Sequence, residues 1–187
     1  MTTKILILTA LASELNANQA PHGVQVIYTG VGKINAASTT TAAILQHQPQ
    51  LIINFGTAGK TNPARHGLLE IAEVIQRDML AMPLAARGVT PLSEEPASYH
   101  SGHGDARCGT GDSFVTAVDD WLVQQGVDVV DMELFAIAHA CHRYHVPWRA
   151  FKYITDAADE EAAEHWNDNV HRGAELFWSQ LAQLGTD

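Results

Sequence analysis

Short apolar runs punctuate the chain, and between them lie stretches with helical spacing. Ile5–Leu8 (ILIL) is too uniformly apolar for a strand with one wet face, and predicts a strand buried on both sides. Val24–Tyr28 and Leu51–Phe55 repeat the pattern, and Leu69–Gln76, Val127–Val130 and Trp148–Thr155 add three more strands. An Ala/Leu/Glu segment after the first strand suits a helix start. Residues 34–48 predict a helix that Pro49 closes, and residues 132–145 predict another that Pro147 closes. A last helix is expected from about Asp159 towards the C-terminus. The stretch Pro83–Gly111, rich in Gly, Pro, Ser and His, reads as one long loop.

Buried strands alternating with helices predict an α/β chain: a single three-layer domain over residues 1–187, its mixed, largely parallel central sheet flanked by helices. Ligands of such sheets bind beyond the carboxyl ends of the strands. Four strand ends carry small or acidic residues there: Thr9–Glu14, Gly30–Lys33, Gly56–Gly59, and Thr155 with Asp156.

Composition narrows the partners. Eleven Lys and Arg against 21 Asp and Glu give a net charge of −10, which argues against nucleic acid or an anionic membrane surface. Two cysteines, Cys108 and Cys141, cannot build a disulfide framework. The apolar run near the N-terminus is too short for a membrane span and lacks a signal-peptide pattern. A soluble cytoplasmic protein is expected.

Two familiar motifs fail on inspection. Gly59-Lys60-Thr61 suggests a phosphate loop, but Asn54 stands where that motif needs its leading glycine, and Ile27 stands there for Gly32-Lys33. His139, His142 and His145 recur every three residues, yet the outer pair is turned well away from one helical face. Solvated or core-satisfied histidines account for them better than a metal.

Acids at strand ends are the stronger lead. Glu14 follows the first strand, Glu133 opens a helix, and Asp156 ends the last strand. Singly, each could serve a helix dipole or a cap. Three at the ligand-binding edge of one sheet suit cleavage of a glycosidic bond, where one group protonates the leaving group and another activates water.

The same residues sit in longer matching blocks. The chain resembles the 5′-methylthioadenosine/S-adenosylhomocysteine nucleosidases of the nucleoside phosphorylase superfamily in ILILTALASEL, YTGVGKINAAS, LIINFGTAGK, TGDSFV and, above all, DMELFAIAHACHRYHVPWRAFKYITDAAD. The resemblance implies catalytic roles for Glu14, as the base that activates water, and for Asp156, as the acid that protonates the purine. It implies that Met132 and Glu133 lie under the ribose, with Glu133 accepting from its hydroxyls. Phe114 would stack on the base, the Val115 backbone would read its edge, and Thr57 and Lys152 would flank the water and sugar. Lys152 stands where the family's motif usually has arginine, and Leu11 where a methionine commonly lines the alkylthio pocket. No cofactor and no metal are expected; the partners implied are a small purine nucleoside and a second copy in a homodimer.

Two rivals are open at this level. A phosphorylase would need glycine and arginine after the first strand to hold phosphate, whereas Glu14 stands in that loop and no arginine precedes Arg65. A carboxylate there repels a phosphate dianion and suits water. A non-catalytic nucleoside-binding protein would keep Phe114 and Glu133 but has no use for Glu14 and Asp156 together.

Overall fold

The computed structural model describes residues 4–156 and 162–184, with side chains described for 4–155 and 172–184. Eight strands form one sheet: β1 (Ile5–Thr9), β2 (Gln25–Tyr28), β3 (Leu51–Lys60), β4 (Leu68–Gln76), β5 (Ser98–His100), β6 (Ala106–Thr110), β7 (Val129–Asp131) and β8 (Trp148–Asp156). The helices are α1 (Lys33–His47), α2 (Asp120–Gln124), α3 (Leu134–Arg143) and α4 (Ala162–Leu184). The α/β class with a mixed central sheet and helices on its faces is as expected from the pattern.

The apolar runs explain the layers. Leu6, Leu8 and Ile52 turn towards α1 and α3, where Ala36, Ala43, Ile137 and Ala140 meet them. Ile7, Ile53, Phe55 and Phe151 turn the other way, onto Phe177 and Leu181 of α4. Phe177 stacks on Phe55 with ring centroids 4.6 Å apart. Fully burying each such side chain contributes roughly 1.5–3 kcal/mol, which is why both faces of these strands must be apolar.

β3 shapes the site. Its first half runs parallel to β1, with Ile5–Leu8 opposite Leu51–Asn54, while Gly59 and Lys60 at its far end pair antiparallel with Val130 and Val129 of β7. All along its length it pairs with β8. The chain of neighbours β3–β8–β4–β6–β7 then returns to β3, so five strands close into a small ring. The register slips between Ala58 and Gly59, the kind of bulge that bends a strand where a sheet curls.

Four local expectations are corrected. Residues 11–20 form turns and a short 3-10 helix at Ala17–Gln19 rather than a helix start, because the Asn16 side chain caps that turn and the Glu14 side chain folds back onto Leu11. Gly56–Gly59 is strand, not loop: β3 runs on through them to Lys60 because β7 and β8 supply partners on both sides. The Pro83–Gly111 stretch contains β5 and β6. Ala106–Thr110 lies between β4 and β7, its backbone paired on both sides although its residues are not strongly apolar. The short helix α2 was not anticipated at all; Asp119 caps it by accepting from the Leu122 N–H.

Candidate functional site

Glu14 reaches its position through a tight turn at the end of β1, in which its own N–H donates to the Leu11 carbonyl at 3.1 Å. Its Oε2 accepts from the Leu11 N–H at 3.1 Å and from the Thr9 hydroxyl at 3.4 Å. Its Oε1 accepts from the Thr57 N–H at 2.8 Å and the Thr57 hydroxyl at 2.7 Å. Four donors, from β1, the turn after it and β3, therefore fix a buried carboxylate at the wall of a cleft, an orientation that a group abstracting a proton needs. A Cβ built at Gly56 would crowd Lys152 Nζ at 3.2 Å and meet Glu14 Oε1 at an ordinary 3.5 Å.

Glu133 stands between β7 and α3, and its Oε1 accepts from the Gly32 N–H at 2.9 Å. The ordinary alternative, a cap on its own helix, does not hold: Glu133 makes no capping bond, and Asp131 Oδ2 accepts from the Leu134 N–H at 2.9 Å instead. Burial pushes the Glu133 carboxyl up to about 7, helped by the charge of Asp131 and opposed by Lys152 and the Gly32 N–H.

Beneath the cleft lies a buried ion pair. Lys152 Nζ is 2.7 Å from Asp131 Oδ2, and both side chains are essentially solvent-free. Asp131 Oδ1 also accepts from the Thr110 hydroxyl at 2.5 Å. Burial acts to raise Asp131 and to lower Lys152, but each partner's charge outweighs it, so Asp131 is held below its ordinary value and Lys152 above. The pair stays charged.

The cleft has a volume of about 280 Å³, at the small end of the roughly 300–1,000 Å³ typical of small-molecule sites. Glu14, Thr57, Phe114, Val115, Met132 and Glu133 all line it, with Leu11 and Val31 among its apolar wall. Phe114 is half exposed at 52% and follows Ser113 directly. Lys152 does not line the cleft; it supports Asp131 from below. The Asp156 backbone ends β8 opposite Gly59, and its side chain lies outside the described residues.

Sequence reasoning missed Asp131 and Arg77. A lone lysine in the apolar strand WRAFKYIT was a signal for the former, since a buried ammonium requires a buried anion. Arg77 lines the cleft, donating to Ser113 Oγ and the Gly111 carbonyl, each at 2.9 Å, and to the Ser113 carbonyl. Among the described residues, no three His, Cys, Asp or Glu side chains converge as a metal site would require. His139 instead meets the Tyr99 hydroxyl at 2.8 Å.

Comparison with known proteins follows the same lines. The model of the phosphorylase superfamily matches residues 19–75 and 84–185, a span that takes in every candidate site residue except Glu14. A 5′-methylthioadenosine/S-adenosylhomocysteine nucleosidase of Staphylococcus haemolyticus is 30% identical over 161 residues, covering 74% of this chain and 71% of the relative. One of Anoxybacillus flavithermus is 29% identical over 184 residues, covering 86% and 79%. Among solved structures, a Helicobacter pylori nucleosidase mutant with 5′-methylthioadenosine in its active site superimposes with a TM-score of 0.86 at 21% identity, covering 98% of this chain and all of the other. A Neisseria meningitidis nucleosidase in complex with methylthio-immucillin-A gives a TM-score of 0.79 at 20% identity, over 93% and 94%.

Proposed function

The chain belongs to the phosphorylase superfamily and, within it, to the 5′-methylthioadenosine/S-adenosylhomocysteine nucleosidases, and from that membership we propose that it hydrolyses the N-ribosidic bond of a 5′-substituted adenosine to free adenine and the ribose derivative. The observation that carries this reading is the convergence of Glu14 and Glu133, each immobilised by backbone donors, in one cleft beside Phe114.

In the proposed reaction the purine lies against Phe114, its edge at the Val115 backbone. The ribose lies over Met132, with its hydroxyls donating to Glu133. Asp156 donates a proton to a purine ring nitrogen as the bond between C1′ and the base breaks, and the bonding pair leaves with the base. Positive charge spreads over C1′ and the ring oxygen. Glu14 takes a proton from water, whose oxygen bonds to C1′, and exchange with solvent restores both carboxyl groups. Thr57 keeps Glu14 aimed, and Lys152 acts at one remove, holding Asp131 under the cleft. No metal or redox cofactor enters the scheme.

The further elements of the proposal are one domain over residues 1–187, a cytoplasmic setting, and a homodimer. No helix among the described residues is long and apolar enough to cross a membrane. Leu80, Met82, Leu84 and Leu92 are exposed on the segment between β4 and β5, which is the kind of surface a second copy would cover.

Incubation with 5′-methylthioadenosine, with and without phosphate, tests the reaction. Adenine and methylthioribose should form at the same rate in both. A requirement for phosphate with release of a ribose 1-phosphate would overturn the proposal in favour of phosphorolysis.

A further inference from the structure

Phe114 lines the cleft yet is half exposed, so something other than core packing must hold it over a base. The segment before it is tied down residue by residue. The Gly111 N–H donates to the Asp131 carbonyl at 3.0 Å, and the Gly111 and Ser113 carbonyls accept from Arg77. The Asp112 N–H donates to Asp78 Oδ2 at 2.8 Å. Asp112 Oδ1 in turn accepts from the Lys33 N–H at 2.7 Å, and Lys33 Nζ closes the ring on Asp78 Oδ1 at 2.5 Å.

We propose that Lys33 is a positioning residue for base binding: with Asp78 and Asp112 it forms a three-membered latch that fixes residues 111–113, and through them Phe114, against the N-terminus of α1. The proposal rests on the nucleosidase reading for what the loop binds, not for the latch itself.

Three features distinguish the latch from an ordinary surface ion pair. The Lys33 and Asp78 side chains are only 18% and 26% exposed, so their pairing is less screened than an exposed one. Both Asp78 oxygens are used, one on the lysine and one on the loop backbone, so the side chain transmits position rather than charge alone. The backbone has been cleared for the approach: a Cβ at Gly111 would lie 2.9 Å from both the Arg77 guanidinium carbon and the Asp78 carboxyl carbon. At Gly32, with φ +92°, a Cβ would lie 3.2 Å from Asp112 Oδ1. Gly32 also gives its N–H to Glu133, so the start of α1 is tied both to the proposed base-binding loop and to the proposed ribose acceptor.

A wall that stacks on the base in the ground state and in the transition state alike affects KM more than kcat. Lys33→Met should therefore raise KM for 5′-methylthioadenosine at least fivefold while kcat stays within threefold. Hydrogen exchange of the amides at 111–115 in the ligand-free protein should quicken at least tenfold. Lys33→Arg, which keeps the charge, should return KM to within twofold of wild type. Combining Lys33→Met with Asp78→Asn should add little to Asp78→Asn alone. Unchanged exchange at 111–115 in Lys33→Met would overturn the latch whatever the protein's substrate. So would a variant that loses only thermal stability, with KM and exchange unaltered. A wild-type chain inactive on 5′-methylthioadenosine would instead strike at the reaction, and the exchange measurement would still decide the latch.

Discussion

Replacing Glu133 by Gln should make the ligand-free protein more stable at alkaline pH while spoiling its use of substrate. Burial holds the Glu133 carboxyl at about 7, against an ordinary 4.5 in the unfolded chain. The folded state thus binds this proton more tightly than the unfolded state. The resulting stabilisation is complete below about pH 4.5, declines as pH rises, and is gone once pH has passed through 7. The interval between 4.5 and about 7, at about 1.4 kcal/mol per pH unit, sets the scale of the loss at about 3 kcal/mol.

Glutamine keeps an oxygen for the Gly32 N–H and has no charge to desolvate. Urea unfolding of wild type and Glu133→Gln at pH 5 and pH 8.5 isolates the effect, because groups that titrate alike in both proteins cancel in the difference. The variant should gain about 2.5 kcal/mol relative to wild type between those two pH values, since part of the effect is already lost by pH 5, or roughly 5–10 °C in Tm for a chain of this size. Its KM should rise at least about tenfold at pH 8, since hydrogen bonds to a charged acceptor contribute about 1.5–3 kcal/mol each. A stability difference that does not change with pH, or that changes in the opposite sense, would refute the account of Glu133 as a carboxyl strained by burial.

Other substitutions separate the remaining parts. Asp156→Asn and Glu14→Gln should each lose about a hundredfold or more in kcat, while calorimetry shows 5′-methylthioadenosine still bound within a few-fold. Lys152→Met strands the Asp131 charge and should cost about 3–5 kcal/mol in urea unfolding, with Lys152→Met/Asp131→Asn recovering much of it. Gly56→Ala places a methyl 3.2 Å from Lys152 Nζ and at an ordinary 3.5 Å from Glu14 Oε1, so the lysine end gives by a few tenths of an ångström while Glu14 stays in place, and kcat and unfolding should both change little.

What could be read from the chain follows the physics of burial. β1, β3 and β8 announce themselves because strands covered on both faces must be apolar at consecutive positions. β6 does not, because ARCGT fills its inward positions with the small Ala106 and Cys108 and with Thr110, a weakly apolar set whose Cys108 and Thr110 also bond to Asp131. The second half of β3 looks like a turn for a related reason. Its small residues leave room for Glu14 and Lys152, so the signal of a loop is in fact the mark of a crowded site. Glu14 and Glu133 were legible as acids at strand ends. The bonds that fix them were not: Thr57 reaches Glu14 from β3 and Gly32 reaches Glu133 from the start of α1, contacts that only the tertiary fold makes.

The preference for water over phosphate can now be argued from charge rather than from the loop after β1 alone. Holding a phosphate dianion takes cations with hydrogen-bonding capacity to spare. Arg77 reaches the cleft, but the two terminal nitrogens of its guanidinium are held by Gly111 and Ser113, its Nε is buried without a partner among the described residues, and burial lowers its pKa from the ordinary arginine value, Asp78 and Asp131 acting the other way. Lys152 is committed to Asp131 below the floor. Facing the cleft are Glu14, Asp131 and Glu133. An incoming dianion would meet carboxylates without a cation released to receive it, whereas a neutral water meets only a fixed acceptor. If Glu14 is the base, as proposed, the arrangement that suits it to deprotonate water also disfavours phosphate, and both properties depend on Arg77 and Lys152 remaining engaged with their partners.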